Sequence, residues 1–316
     1  MKWLWIILFG AIWSPDLRSE INRFPGVDWT PKIFVEVPGY VYRVQALSDL
    51  ETELAFQPNT RSLLGFYINY RDVFGVRFSF RIPQEDEEIR GPTTYEDWRF
   101  SFAYDSFHLQ LNLMEYRGFY IENSGDLGLT SQGQYYFASD LKIRQASSNL
   151  TYILSPEKFS LMSALDQTVR QEFSGGSYLL GLVYAETLWD HPQFIIPVPL
   201  HNLFGEDAEL RAGLFRTLSF KAGYGYSFVH PQRKWFLSLS GMFGLGVQQR
   251  TYQVGQQMLS EWREAYKIDV FLSGGYAGER YFTGFLAVAD DTHSRLNSVG
   301  VSTNVYALQL FAGLRL

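Results

Sequence analysis

The stretch that decides the fold is Leu218-Ser219-Phe220-Lys221-Ala222-Gly223-Tyr224-Gly225-Tyr226-Ser227-Phe228, followed after His230-Pro231-Gln232-Arg233 by Trp235 to Gln248. In the first run Leu218, Phe220, Ala222, Tyr224, Tyr226 and Phe228 fall on one face. Ser219, Lys221, Gly223, Gly225 and Ser227 fall on the other. Side chains alternate across a strand with period two, so one face is apolar and aromatic while the other is small or polar. The second run repeats this with Trp235, Leu237, Leu239, Phe243, Leu245 and Val247 set against Ser238, Ser240, Gly244, Gly246 and Gln248. Each run exceeds the five or six residues usual for a soluble strand and matches the roughly 9–11 needed to cross a bilayer. The pair reads as a hairpin of two transmembrane β-strands whose polar face lines a barrel.

The composition agrees. Aromatic residues make up 17% of the 316, and mild net charge (−6) supplies no basic footprint for nucleic acid. A mean hydropathy of −0.12 is too low for a helical membrane protein but normal for a barrel that hides its lipid face in alternation. With no Cys, disulfides, thiolate chemistry and Cys-based metal sites are absent. At the start, Lys2 precedes the apolar block Trp3 to Trp13, the layout of a secretory signal with cleavage expected after Ser19. No later apolar run reaches the roughly 18 residues of a membrane helix.

Outward from the hairpin, the same alternation recurs. The expected organisation is a signal peptide over 1–19, a periplasmic lead-in over 20–38 and an outer-membrane barrel over 39–316. Tyr40, Tyr42, Val44 and Ala46 alternate with Arg43 and Gln45, and Thr52 to Phe56 reads as a short second strand. Leu64 to Tyr70, Phe74 to Ile82, Trp98 to Tyr104 and Phe107 to Leu113 follow, the last two joined at Asp105-Ser106. Trp189 to Arg211, with Pro192, Pro197, Pro199 and Gly205, reads as a long loop or partial plug, and Gln249 to Tyr266 as a surface loop. The last strand keeps its alternation through Tyr306, Leu308, Leu310, Ala312, Leu314 and Leu316, as expected of one that closes on the first. The fold expected is all-β, a closed antiparallel transmembrane barrel of about 12 to 14 strands, even in number. Placing both tight turns, Asp105-Ser106 and His230 to Arg233, at one end requires a strand to be gained or lost near Thr52 or Trp189.

Several short segments in order carry a family resemblance: Gln57-Pro58-Asn59, Leu64-Gly65, Tyr70-Arg71, Phe78-Ser79-Phe80, Tyr116-Arg117-Gly118-Phe119-Tyr120, Ser174-Gly175-Gly176-Ser177, Gly223-Tyr224-Gly225-Tyr226 and Gly275 to Tyr281. Together they resemble the outer-membrane barrels catalogued as domain of unknown function forty-four twenty-one. The resemblance spans about Tyr40 to Leu316. It implies a barrel and an outer-membrane address, with no reaction and no functional residues.

If apolar means outward, Arg43, Arg77, Arg81, Arg99, His108, Gln110, Asn112, Lys221, Asp269, Gln309 and Arg315 face the lumen. Four arginines on early strands would make a cationic interior that favours anions. The alternative, favoured because buried charges are normally paired, is a network with inward carboxylates such as Glu115, Asp166 and Asp269. A lipid hydrolase at the barrel rim would need His108 beside Ser101 or Ser106, with a third group to orient it. The acidic run Glu85-Asp86-Glu87-Glu88 reads as a solvated loop tip. No phosphate loop, HExxH or EF-hand pattern is present, so no cofactor or metal is expected. A structural or narrow, occluded transport barrel is favoured over a lipid-modifying hydrolase or a surface-loop adhesin. The partners expected are outer-membrane lipids, lipopolysaccharide and, during insertion, the barrel-assembly machinery.

Overall fold

A computed structural model describes residues 21–83, 86–131, 133–230, 232 and 234–316. The expected signal segment lies outside the described residues, as do Glu85 of the acidic run and Pro231 and Arg233 of the hairpin turn. The chain runs through β1 (Ile21–Asn22), β2 (Trp29–Ala46), β3 (Glu53–Gln57), β4 (Leu63–Tyr70), β5 (Phe74–Arg81), β6 (Thr94–Tyr104), β7 (Phe107–Ile121) and β8 (Tyr136–Ile153). It continues through β9 (Arg170–Gln171), β10 (Gly175–Asp190), β11 (Leu210–His230), β12 (Trp235–Val254), β13 (Gln257–Ala277), β14 (Tyr281–Arg295) and β15 (Val299–Leu314). No helix among the described residues is long and apolar enough to cross a membrane.

Twelve strands, β2, β4 to β8 and β10 to β15, form an antiparallel ring, closed where β15 pairs β2 from Val299↔Ala46 to Gly313↔Lys32. Closure leaves no long edge unpaired in the apolar belt, the only way a sheet can satisfy its backbone in lipid. The short β3 does not cross. β4 pairs only the first part of β2, Trp29 to Glu36, and β3 takes the part beyond, Tyr42 to Gln45, before meeting β7 at Phe56 and Gln57. Four ring strands, β7, β8, β10 and β11, lie between the two tight turns, so both fall at one end with no strand gained or lost near Trp189; β3 precedes both turns and does not enter that count. Asp105-Ser106 and the β11–β12 turn lie at one end, together with Arg71 to Val73 and Gly278 to Arg280. Left-handed backbone at Arg71 and Asp72 closes the first of these turns, as hairpin geometry demands. Leu316 bonds Asp28 and Trp29 at the same end, called here the turn end.

Outward-facing Phe220, Leu237, Leu239, Phe243 and Leu245 are about half exposed and form the apolar belt of the opening hairpin. Aromatic pairs ring the turn end, including Trp29–Tyr70, Phe74–Phe102, Phe107–Tyr152 and Trp235–Tyr276, as in the girdles of membrane barrels.

Two expectations change. The first barrel strand starts at Trp29, not Tyr40, and takes in ten residues assigned to the lead-in. Pro31 and Pro38 interrupt the donor pattern there, yet the residues between still alternate, with Ile33, Val35 and Val37 exposed and Phe34 and Glu36 buried. Gln249 to Tyr266 is not a loop: β12 and β13 continue past the belt and turn only at Gly255-Gln256. Along β12 the outer face of that extension is polar (Gln249, Thr251, Gln253) while the inner face mixes Arg250 with Tyr252, which packs under the cap, so the apolar stripe is lost while the ladder persists.

Candidate functional site

The lumen is closed towards both ends by the chain itself. At the turn end, the connection between β8 and β10 carries a five-residue π-helix, Met162–Asp166. Phe159 and Leu161 pack on Ile153, Leu179 and Met242, while Leu165 also reaches the cluster of Phe34, Tyr67, Phe282, Leu286 and Phe311. These inward residues come from strands all round the ring, so the segment lies across the lumen as a plug. Gly225 makes room for it: a Cβ there would stand 2.5 Å from the Phe159 ring. Polar ties add direction. Lys32 Nζ donates to Leu165 O (3.0 Å) and stands 4.0 Å from Asp166. The Arg315 guanidinium donates to Gln167 O (2.7 Å) and to Gly278 O. Burial, together with nearby Arg170, lowers the Arg315 guanidinium to about 10.

At the loop end, residues 191–209 fold over the mouth. Ile195, Ile196, Leu200, Phe204 and Ala208 join Tyr40, Tyr42, Val44, Leu54, Phe56, Phe119, Trp189, Phe215, Tyr252 and Val301 in one apolar cluster. The expected long loop or partial plug over Trp189 to Arg211 is therefore a cap. Asp207 Oδ2 accepts from the Ser298 backbone N–H (2.6 Å) and so anchors it to the β14–β15 connection.

Between cap and plug lies a cavity of about 400 Å³. Its charged wall is built of pairs. Arg77 donates to Glu36 (2.5 Å), and its guanidinium carbon lies 4.2 Å over the Phe34 ring. Arg99 pairs with Asp97 (3.0 Å). Lys221 pairs with Asp269, and Lys267 with Asp269 (3.4 Å) and Asp290. The Lys221 stem runs beside two glycines: a Cβ would meet it at 2.8 Å on Gly244 and 3.0 Å on Gly181. Each of these lumenal cations has a carboxylate partner, so among the described residues this wall is balanced rather than cationic. Removing one member would leave a buried charge uncompensated.

The sequence-predicted lumen residues sort as follows. Arg77, Arg81, Arg99, His108, Gln110, Asn112, Lys221 and Asp269 alternate with exposed apolar residues and face inward, and Gln309 accepts from Arg77 (3.3 Å). Arg81 lies higher, donating to Asn59 O (2.8 Å) and Thr93 O (3.1 Å) and pairing with Glu87 (2.6 Å). Asp86 of the acidic run takes Arg61 (2.5 Å), so that loop is bound and not a free tip. Arg43 is a correction. It shares the outer face of β2 with Ile33, Val35 and Val37, bonding Asn304 and lying 3.7 Å from Glu53. Tyr40, Tyr42 and Val44 turn inward because the cap supplies them with an apolar core. Glu115 is also outward, paired with Lys142 (2.6 Å).

His108 is buried at 2% exposure, with Nε2 3.9 Å from Asp166 Oδ2. Ser101 bonds the Tyr67 hydroxyl (3.3 Å) and Ser106 bonds Asp105 (3.2 Å), so neither serine forms a couple with His108. Sequence reasoning missed Lys32, Glu36, Asp97, Lys267 and Asp290. The first two sit between prolines, and the others have no motif, only inward parity on strands already recognised.

Fold and lumen together define a plugged transmembrane β-barrel. The chain belongs to the family described as Domain of unknown function (DUF4421), whose model matches residues 27–315. No curated protein matches it in sequence. Similar solved structures include the outer membrane protease OmpT of Escherichia coli, at 7% identity and TM-score 0.41, covering 96% of this chain and 99% of that one. The toluene transporter TodX of P. putida is similar at 9% identity and TM-score 0.30, covering 92% and 90%. The attachment invasion locus protein Ail of Yersinia pestis is similar at 12% identity and TM-score 0.23, covering 90% and 99%.

Proposed function

We propose that the protein is an occluded transport barrel of the bacterial outer membrane, with its turn end in the periplasm. One observation carries this reading: a chamber of about 400 Å³ lies between a cap and a plug, each made by the barrel's own connections. A purely structural barrel of twelve strands has no need of a chamber, whereas an open porin of about 16–18 strands leaves its lumen unblocked. Delivery by a cleaved signal over residues 1–19, insertion by the barrel-assembly machinery and contact with lipid and lipopolysaccharide belong to the same reading. The balanced ion pairs argue against strong ion selectivity.

Planar-bilayer recording tests it. The full chain should show no large ohmic steps under a salt gradient. Replacing residues 192–207 with a short Gly-Ser linker should produce resolvable steps with weak selectivity. Large, cation-preferring steps from the full chain would overturn the reading.

A further inference from the structure

The chamber has two unlike walls. On β7 and β8, Gln110 stands opposite Asn149 and Asn112 opposite Ser147, all facing inward. Asn112 Nδ2 donates to Ser147 Oγ (3.1 Å), but the Asn149 Oδ1 is buried without a hydrogen-bond partner among the described residues. Halfway round a ring of twelve, β7 faces β14 and β8 faces β15. There the wall carries Asp290, tied to Lys267, and Gln309, whose Nε2 also lacks a partner among the described residues. Towards the cap, Trp189 and Phe215 stack with centroids 4.0 Å apart and line the same cavity.

We infer that this chamber binds an uncharged, polyhydroxylated solute of mono- to disaccharide size, an inference that rests on the occluded-barrel reading. Three properties converge on that class. The volume, about 400 Å³, falls at the small end of the roughly 300–1,000 Å³ that small-molecule sites occupy. An ionic guest would enter a wall whose cations and carboxylates already neutralise one another, and would lose its hydration without gaining a counter-charge. An apolar guest would leave the amides of β7 and β8 unpaired, which a buried polar site strongly rejects. A hydroxyl both donates and accepts, as a carboxamide does through its two ends, so a sugar can bond the amide wall in either sense. Trp189 and Phe215, each 3% exposed, line the chamber and supply apolar contact for the C–H groups of a sugar.

The test is equilibrium binding by isothermal titration, with the folded full chain in detergent micelles and glucose, maltose, potassium phosphate and glycine betaine as probes. Saturable binding of glucose or maltose is expected, with phosphate and betaine at least tenfold weaker. Replacing Asn149→Leu or Gln110→Leu should weaken the sugar at least tenfold while the unboiled protein still migrates as a folded barrel. The chain in which a linker replaces residues 192–207 gives the probes free access, so slow entry cannot mimic a lack of affinity. Tighter binding of phosphate or betaine than of either sugar overturns the proposal. So does the absence of saturable sugar binding in both the full and the cap-shortened chain. Bilayer recording on the same preparation separates the two ideas. A closed full chain that binds no sugar defeats only this inference, whereas an open one defeats the occluded-barrel reading itself.

Discussion

The β11–β12 hairpin and strand β2 carry equally regular alternation, yet in the second part of β2 the faces are reversed. In the hairpin, Phe220, Leu237 and Phe243 point to lipid and Ser219, Ser238 and Gly244 to the lumen. In β2 beyond Pro38, Tyr40, Tyr42 and Val44 point inward and Arg43 outward. Alternation reports that a strand has two unlike environments, not which of them is lipid. Where the lumen is watery and packed with ion pairs, apolar means outside. Where a cap fills the mouth with Ile195, Ile196 and Phe204, apolar means inside, and the outer face above the belt is free to be charged.

The largest effect expected of this difference is at Tyr42. It is 0% exposed, 4.8 Å from the Trp189 ring and 5.8 Å from Phe56. Tyr42→Ala should cost about 3–5 kcal/mol, the range for emptying a large aromatic site in a packed core. Urea unfolding of the refolded barrel, followed by tryptophan fluorescence, measures it. A cost under about 1 kcal/mol would mean that Tyr42 meets lipid after all, where neighbouring acyl chains fill the gap.

A smaller effect is expected on the hairpin. Phe220 sits mid-belt, about half exposed to lipid. Phe220→Arg should cost about 2–4 kcal/mol at the bilayer midplane by the same unfolding measurement, and the cost should fall towards zero for the same change near the girdles. An inert Phe220→Arg would reverse the faces of the hairpin and, with them, the inward placement of Lys221.

These contrasts explain what could be read in advance. The ring, its even strand number and the lumenal positions on β5 to β7, β11 and β13 were legible because their surroundings obey one rule. Three features were not. Lys32 and Glu36 alternate cleanly with Ile33 and Val35, but Pro31 and Pro38 look like strand breakers; the ring tolerates them at its seam, where Pro31 pairs Ile68 and Pro38 pairs Ala307. In the projecting part of β12–β13 the outer face carries Gln249, Thr251 and Ser260 and the inner face mixes Arg250 with Tyr252, so no apolar stripe survives in the sequence. The third is the chamber, since plug and wall meet over long sequence separations. Lys32 meets Leu165, and His108 lies beside Asp166, with no local pattern to announce either contact.

The smallest effect expected is at Arg43, and it tests the reversed faces most directly. Its guanidinium bonds Asn304 and lies 3.7 Å from Glu53, with about a third of the side chain exposed. Such pairs contribute roughly 0–1 kcal/mol, so Arg43→Ala should barely move the unfolding midpoint. A lumenal arginine in a balanced network would behave otherwise, because its loss strands a carboxylate. Position can be read independently of energy, since the chain contains no Cys and a single introduced thiol has no background. Arg43→Cys should react within minutes with a membrane-impermeant maleimide on the folded barrel, because Ser302 and Asn304 beside it share a polar outer face above Tyr306. Ser147→Cys, inside the chamber and behind the cap, should stay protected until residues 192–207 are replaced. If instead the thiol at 43 is shielded and that at 147 reacts, β2 has its apolar face in lipid as its sequence suggests, and the apolar core beneath the cap does not exist.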